Sequence, residues 1–287
     1  MTVTDPDIEY LFAPGVYHRF GNDVRYNRYH MRAEAPPPAT DPGLRVLALG
    51  DSVINGGALT DQSDLATARL QRRLRDATGK GWVGNVSAGS WGPANLLAYT
   101  ERFGWFDADI VIIVLSTHDL TDLPTFRPTL GADFPTRPPV LALEEAVVRY
   151  LPRYMPSLDG WLASPPGEPT VTYDDPRTAG TAALKALVER ATDAVDEVVV
   201  ILHPTRVEMM GEADAEARRQ RRAIADVVER LGVPALRLER RYPRRADLYR
   251  DSIHLNDAGQ DAYVAMFACI VERTGMSENP RRCENRR

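Results

Sequence analysis

From Leu44 onward, short apolar runs alternate with longer amphipathic segments, and this alternation constrains the fold more than any other feature. The runs are bounded by turn residues and several are rich in β-branched side chains, as is typical of strands buried on both faces. Five such runs occur, with the sequences LRVLALG, WVGNVS, DADIVIIVLS, VVVILH and VPALRL. Strands that alternate with helices form a parallel sheet with helices on both faces. The sequence therefore predicts an α/β fold.

Two of the amphipathic segments carry signals for the ends of helices. In SDLATARLQRRLRDATG, Ser63 or Asp64 can cap the first turn and Gly79 can end the helix. In the last segment, NDAGQDAYVAMFACIVERTG, Asn256 or Asp257 can cap the first turn. We therefore predict helices that start and stop close to these residues.

Three stretches lie outside the alternation. Residues 1–43 are rich in aromatic residues, arginine and proline, which predicts an irregular arm and a stiff connector ahead of a single domain over residues 44–274. Residues 120–178, roughly, form a proline-rich insertion with one short helical piece, LALEEAVVRYLPRY, which we interpret as a cap over the site. Residues 275–287 are polar, and we expect a frayed tail.

Charge and cysteine content argue against several classes of protein. The net charge of −5 disfavours nucleic acid as the main partner. Cys269 lies in an apolar periodic segment and Cys283 in the polar tail, so we expect neither a disulfide nor a zinc site. The chain shows no signal peptide, no apolar run of roughly 20 residues and no nucleotide-binding glycine motif. We therefore expect a cytoplasmic protein that neither spans a membrane nor carries a cofactor.

Polar side chains follow each of the predicted strands. The carboxyl ends of the strands in a parallel sheet meet at one edge, where ligands bind. The residues at or just after these ends are Gly50-Asp51-Ser52, Ser87-Ala88-Gly89, Ser116-Thr117-His118-Asp119, His203 and Asp251-Ser252-Ile253-His254. The sequence therefore predicts a functional site at this edge.

Ser52 is the predicted nucleophile of this site. A serine hydroxyl reacts near neutral pH only if a neighbouring base takes its proton. His254 can be that base, and Asp251, three residues earlier, can fold back to orient the imidazole. Gly50 would let the chain turn sharply and lift Ser52 to the mouth of the sheet. Alone, each motif also fits an ordinary polar turn beside a helix; together they favour acyl-transfer chemistry.

These residues resemble the motifs of the SGNH or GDSL hydrolases. The first block of that family corresponds to Gly50-Asp51-Ser52, its second to Gly89, and its last to Asp251 and His254, in the family's order. The resemblance covers about Leu44 to Thr274. It implies a flavodoxin-like, three-layer α/β/α fold and a serine esterase or related acyl-transfer activity. It also implies that the backbone N–H groups of Ser52 and Gly89 donate to the oxyanion.

The third block departs from the family's Gly-x-Asn-Asp. Here the stretch is STHD, Ser116 to Asp119, with His118 where the oxyanion-binding asparagine is expected. A neutral imidazole can donate one hydrogen bond, so His118 is a candidate replacement. The alternative is a structural histidine bonded to the backbone. We expect Asp51, Asp119 and His203 at the pocket, with the two aspartates bracing turns rather than reacting.

Three other functions remain compatible with these residues. An acyltransferase would use the same triad, and a binding protein would keep the fold after losing the oxyanion hole at His118. A metal-dependent hydrolase would draw its ligands from Asp51, His118, Asp119, His203, Asp251 and His254. Because no metal-binding signature is present, we expect no resident metal.

The substrate is indicated only by resemblance. The segment VRYNRYHMRAEAP, ahead of the first predicted strand, loosely resembles the lead-in of relatives that modify carbohydrate. It implies a short acyl group on a sugar or a small polar metabolite as substrate. Tyr150, Tyr154 and Trp161 of the insertion could form an aromatic platform for it, and core packing is the alternative for each.

Overall fold

The computed structural model describes residues 1–126, 168–275 and 278–284. The chain divides into two compact units, one of Met1–Ala13 with Pro124–Asp174 and the other of Pro14–Leu123 with Asp175–Arg287. The predicted helix LALEEAVVRYLPRY and the three aromatic residues of the insertion lie outside the described residues. The domain limits at 44 and 274 and the capping role of the insertion stay predictions.

Residues 2–26 form two antiparallel hairpins, so the prediction of an irregular arm is wrong for this stretch. In the first unit, β1 (Thr2–Asp5) pairs with β2 (Glu9–Phe12). In the second unit, β3 (Gly15–Arg19) pairs with β4 (Asn22–Tyr26) through a two-residue turn at Phe20 and Gly21. Both turn residues have positive φ, 52° and 81°. Such turns usually carry Asn-Gly or Asp-Gly, and phenylalanine in the first position conceals the hairpin in the sequence.

A five-stranded parallel sheet forms the centre of the second unit. Its strands are β5 (Arg45–Gly50), β6 (Trp82–Ser87), β7 (Ile110–Ser116), β8 (Glu197–His203) and β9 (Ala235–Arg237), in the spatial order β6-β5-β7-β8-β9. All residues of β5, β6 and β7 are buried, which explains why these strands read as continuous apolar runs. Gly50 pairs with Ser87 and Ser116 with His203, so the carboxyl ends of these strands are level.

Helices cover both faces of this sheet. They are α1 (Ser52–Asn55), α2 (Ala66–Thr78), α3 (Pro93–Phe103), α4 (Pro176–Ala194), α5 (Arg206–Met210), α6 (Ala215–Arg230), α7 (Leu238–Arg241) and α8 (Asp257–Gly275). α2 packs against α8, whereas α4 packs against α3 and α6. Val46 and Ala48 belong to the core beneath α2 and α8, and alternate residues of the strand point to the other face. The predicted three-layer α/β/α fold is confirmed.

The helix ends agree with the sequence in part. The Asn256 side chain accepts from the Gly259 N–H (3.1 Å) and caps α8, and Gly79 ends α2 with a φ of 75°, as predicted. The predicted cap of α2 at Ser63 or Asp64 is wrong. The helix begins at Ala66, whose N–H donates to the side-chain oxygen of Gln260 in α8 (2.8 Å). Because Gln260 lies 194 positions from Ala66 in the sequence, no local residue pattern indicates this cap.

The expectation that the cysteines stay unpaired is wrong, because Cys269 of α8 and Cys283 form a disulfide. Cys283 is buried in a 3-10 turn, Pro280–Glu284, that follows α8. The Glu284 carboxylate accepts from the Arg237 N–H of β9 (2.6 Å) and from the Arg240 guanidinium (2.8 Å). Residues 280–284 therefore lie folded along the last strand instead of fraying.

Two observations bear on where the protein acts. Among the described helices, none combines the length and the hydropathy that crossing a bilayer requires. Disulfides persist mainly in oxidising compartments. The cytoplasmic location stays a prediction, and the disulfide argues against it because the cytoplasm is reducing.

Candidate active site

The segment Gly50-Asp51-Ser52 joins β5 to α1 at the carboxyl edge of the sheet. The Asp51 side chain accepts from the Val53 N–H (2.9 Å) and so caps α1, which places Ser52 in its first turn. Gly50 is needed for space rather than for a left-handed turn: a Cβ there would lie 3.0 Å from the Val114 carbonyl oxygen of β7. The half-buried Ser52 side chain is thus presented beside the neighbouring strand ends.

Ser52, His254 and Asp251 form a continuous chain of hydrogen bonds. Ser52 Oγ lies 2.9 Å from His254 Nε2, and His254 Nδ1 lies 2.8 Å from Asp251 Oδ2. The other carboxylate oxygen, Asp251 Oδ1, accepts from the N–H groups of Ile253 (2.9 Å) and His254 (2.7 Å). Residues separated by 202 positions in the chain are therefore in hydrogen-bonding contact.

The charge of Asp251 decides how the imidazole is protonated. Burial alone would raise the pKa of Asp251, but the two backbone N–H groups and the His254 side chain outweigh it and lower the pKa below its usual value. An ionised carboxylate only accepts, so the proton of the neutral imidazole lies on Nδ1. His254 Nε2 is then free to accept a proton from the Ser52 hydroxyl.

The predicted oxyanion donors come from three neighbouring strand ends. Ser52 begins α1, and Gly89 lies in the turn that follows β6, two residues after the Ser87 partner of Gly50. His118 lies in the turn that follows β7, and its side chain is 44 % exposed. The Ser52 and Gly89 backbones thus lie at neighbouring strand ends, and their role as oxyanion donors stays a prediction.

The His118 imidazole faces three carboxylates. His118 Nε2 lies 3.4 Å from Asp119 Oδ1, 3.6 Å from Asp122 Oδ2 and 3.8 Å from Asp51 Oδ2. Burial raises the pKa of Asp51 and, together with the neighbouring Asp51 charge, that of Asp119 well above its usual value. Burial likewise raises the pKa of Asp122. Donation to an oxyanion from Nε2 would compete with these carboxylates, so the role of His118 stays a prediction.

The two buried aspartates also hold the backbone. Asp51 caps α1, as described above. Asp119 Oδ2 accepts a hydrogen bond from the Ser116 N–H (2.8 Å) at the end of β7. Asp122 was missed by the sequence reasoning, although its spacing of four residues from His118 is a helix-like signal.

Within the described chain, Asp51, His118 and Asp119 are a group whose ligand atoms lie within 4.8 Å of one another, as a metal site requires. The other residues considered as metal ligands are engaged elsewhere: His254 binds Ser52 and Asp251, and His203 binds Ile253 and Tyr263.

His203 is fully buried behind the site. Its Nε2 lies 2.9 Å from the Ile253 carbonyl oxygen and its Nδ1 lies 2.9 Å from the Tyr263 hydroxyl. Burial lowers the pKa of His203 to about 3. It therefore does not line the pocket surface, as the sequence had suggested, but lies beneath the loop that carries His254.

Two arginines hold the loop that follows Ser52. The buried Arg32 donates to the carbonyl oxygens of Asn55, Gly57 and Thr60, and Arg250 donates to the Thr60 hydroxyl (3.0 Å). Arg32 belongs to the segment VRYNRYHMRAEAP, and Tyr26 of the same segment donates to the Asn55 side chain (3.2 Å). Arg32 and Tyr26 therefore hold the end of α1 and the residues that follow it.

Comparisons with known proteins identify a family for this chain. The model of the GDSL-like Lipase/Acylhydrolase family matches residues 48–262. No curated protein sequence matches the chain. Among solved structures, LAE5, an alpha/beta hydrolase enzyme from the metagenome of Lake Arreo, Spain, is 16 % identical with a TM-score of 0.50, over 85 % of this chain and 97 % of its own. Axe2, an acetylxylan esterase from Geobacillus stearothermophilus, is 15 % identical with a TM-score of 0.47, over 77 % of this chain and 91 % of its own.

Proposed function

Because the chain belongs to the GDSL-like lipase/acylhydrolase family and is an SGNH-type esterase, we propose that it cleaves esters through an acyl-enzyme on Ser52. His254 acts as the general base and then as the general acid, and Asp251 orients it. The observation that carries this proposal is the hydrogen-bonded series from Ser52 Oγ through His254 to Asp251, with separations of 2.9 and 2.8 Å.

The geometry supports a two-step reaction. As Ser52 Oγ forms a bond to the ester carbonyl carbon, its proton passes to His254 Nε2, and Asp251 stabilises the imidazolium. His254 then returns the proton to the alcohol oxygen as the carbon–oxygen bond of the ester breaks. Water attacks the acyl-enzyme in the second step, giving its proton to His254, and the acid leaves as Ser52 recovers its hydrogen.

The oxyanion formed in each step is held by the backbone N–H groups of Ser52 and Gly89, with His118 as a third donor. Losing one such donor costs about 10² to 10³ in turnover. We therefore expect His118→Ala to lower kcat by that factor while KM changes little. Unchanged turnover in the folded variant would remove His118 from this role.

A fluorophosphonate probe tests the nucleophile directly. The probe should label the folded protein at Ser52, located by mass spectrometry of the digested adduct, and Ser52→Ala should abolish both labelling and ester hydrolysis. Ser63→Ala is the matched control, because this exposed serine contacts Asp61 rather than a histidine. Labelling at another residue, or activity retained in Ser52→Ala, would refute the assignment.

The acyl group is proposed to be short and its alcohol a sugar or a small polar metabolite. The support is the resemblance of the segment that contains Tyr26 and Arg32 to relatives that modify carbohydrate. Turnover of p-nitrophenyl esters should fall from acetate to octanoate, and acetylated sugars should be deacetylated. Repeating the assay with acceptor alcohols separates hydrolysis from acyl transfer, because a transferase would form a new ester.

A further inference from the structure

His203 at the end of β8 and the residues that follow it, up to Arg206, hold the loop that carries Asp251 and His254. The Arg206 N–H donates to the Ser252 carbonyl (2.8 Å), and the Tyr249 hydroxyl donates to the Pro204 carbonyl (2.6 Å). The third contact joins the His203 side chain to the Ile253 carbonyl (2.9 Å). Of the three, it is the one that ends on the peptide directly before His254.

Hydrogen-bond chemistry determines the tautomer of His203. A carbonyl oxygen only accepts, so His203 Nε2 carries the hydrogen that binds Ile253. Burial disfavours a positive charge on His203, and the buried Arg221, which donates to the His203 carbonyl (3.1 Å), disfavours it further. His203 Nδ1 is therefore unprotonated and accepts from the Tyr263 hydroxyl (2.9 Å). Tyr263 is itself fully buried in α8.

The peptide between Ile253 and His254 is held at both of its polar ends. Its N–H donates to Asp251 Oδ1 (2.7 Å), and its carbonyl accepts from His203 Nε2 (2.9 Å). A peptide group is planar, so two opposed hydrogen bonds fix its orientation about the chain direction. The position of the His254 Cα, and with it the reach of the imidazole to Ser52, follows from that orientation.

We propose that His203 is a positioning residue for the esterase reaction, whose Nε2–H clamps the Ile253 carbonyl and thereby holds His254 at hydrogen-bonding distance from Ser52. Tyr263 maintains the tautomer that makes this donation. Neither side chain reaches the substrate, because both are fully buried. The proposal rests on the proposed function of Ser52, His254 and Asp251.

The test compares His203→Leu, which cannot donate, with His203→Gln, whose side-chain amide can replace the Nε2–H. Since a misplacement of about 1 Å can cost about 10²-fold in rate, we expect His203→Leu to lower kcat for p-nitrophenyl acetate by about 10- to 100-fold, with KM within about twofold of wild type. The glutamine variant should recover most of kcat. The rate of fluorophosphonate labelling at Ser52 should follow kcat in both variants.

The outcomes separate this proposal from the proposed function. Suppose that Ser52→Ala abolishes turnover, as the proposed function requires. The positioning role of His203 is then refuted, and the proposed function kept, if folded His203→Leu has the wild-type kcat or if the glutamine and leucine variants are equally slow. If Ser52→Ala retains turnover, the proposed function fails. Should His203→Leu not fold, nitrogen-15 NMR of the wild-type protein decides: we expect His203 as the neutral Nε2–H tautomer from pH 5 to 9, and a charged ring or the Nδ1–H tautomer refutes the clamp.

Discussion

Gly50 precedes the nucleophile at a point where β5 runs close to its neighbour β7. A Cβ at this position would lie 3.0 Å from the Val114 carbonyl oxygen and 3.1 Å from the Ile54 side chain, both tighter than ordinary contacts. The motif Gly-Asp-Ser predicts the nucleophile from sequence, but it suggests a sharp turn as the reason for the glycine. The reason visible only in the fold is the approach of a backbone oxygen from another strand.

Gly50→Ala should therefore displace the first turn of α1 and Ser52 with it. Overpacking of this kind costs about 1 to 3 kcal/mol in the free energy of unfolding, and we expect kcat/KM to fall as well. Denaturant titration and p-nitrophenyl acetate turnover measure the two effects. Gly275→Ala is the control, because a Cβ there meets nothing within 4 Å. Equal stability and turnover in the two variants would contradict the packing argument.

The charge of Asp119 is a second property that only the folded structure decides. Burial and the Asp51 charge raise its pKa well above 3.8, so the folded state binds its proton more tightly than the unfolded chain does. The stability of the wild type should then fall as the pH rises from about 4 through the raised pKa, because ionisation favours the unfolded chain.

Asp119→Asn removes this ionisation and keeps an oxygen to accept the Ser116 N–H. We expect its free energy of unfolding at pH 7 to exceed that of the wild type, with a flatter dependence on pH, because the substitution removes a carboxyl whose pKa is raised in the folded state. Urea titrations between pH 4 and 8 measure the difference. Asp261→Asn, which instead breaks an exposed ion pair with Arg69, should show no such gain. A variant less stable than the wild type at pH 7 would contradict the expectation.

At the scale of elements, the loop from Arg250 to Asn256 contains contacts that the sequence predicts and others that it does not. Asp251 and His254 were predicted because their spacing of three residues lets the acid fold back onto the imidazole. The contacts of the loop with His203 of β8 and Arg206 of α5 leave no local pattern, since they join residues about 50 positions apart. The same limit conceals the cap that Gln260 supplies to α2.

Asp251→Asn tests the electrostatic role of this loop. The asparagine oxygen can still accept backbone N–H groups, but its amide gives His254 Nδ1 a donor or a neutral acceptor in place of a carboxylate. We expect kcat to fall by roughly 10³ to 10⁴, measured with p-nitrophenyl acetate. Asp247→Asn is a matched control just ahead of this loop, because Asp247 pairs with the exposed Arg245. A loss below tenfold would argue against Asp251 as the partner of His254.

At the scale of the whole molecule, the C-terminal segment closes the exposed edge of the sheet. β9 is the last strand, and the Glu284 carboxylate binds its Arg237 N–H, a group that an edge strand would otherwise leave unpaired. The disulfide between Cys269 and Cys283 holds this segment against α8. A polar composition predicts a frayed tail, and only the reversal of the chain after α8 brings Cys283 back to the core.

Cys283→Ser should lower the free energy of unfolding by about 2 to 4 kcal/mol, because the bond closes a loop of some 15 residues in the unfolded chain. Turnover at low temperature should be retained, since neither cysteine contacts Ser52, His254 or Asp251. Thermal unfolding with and without dithiothreitol measures the effect. The reductant should destabilise the wild type and leave Cys283→Ser unchanged, and an equal response of the two proteins would contradict the role of the bond.

The sequence by itself determined the α/β class, the five strands, most of the helix positions and the candidates Ser52, Asp251 and His254. These follow from periodicity and from turn and cap residues, which act over a few positions along the chain. Only the tertiary structure decided the carboxylates around His118, the clamp by His203, the cap of α2, the N-terminal hairpins and the disulfide. Apart from the hairpins, each of these features joins side chains that are distant in sequence or depends on a charge that burial changes. In the second hairpin, a backbone with positive φ at the turn overrides the preference of Phe20.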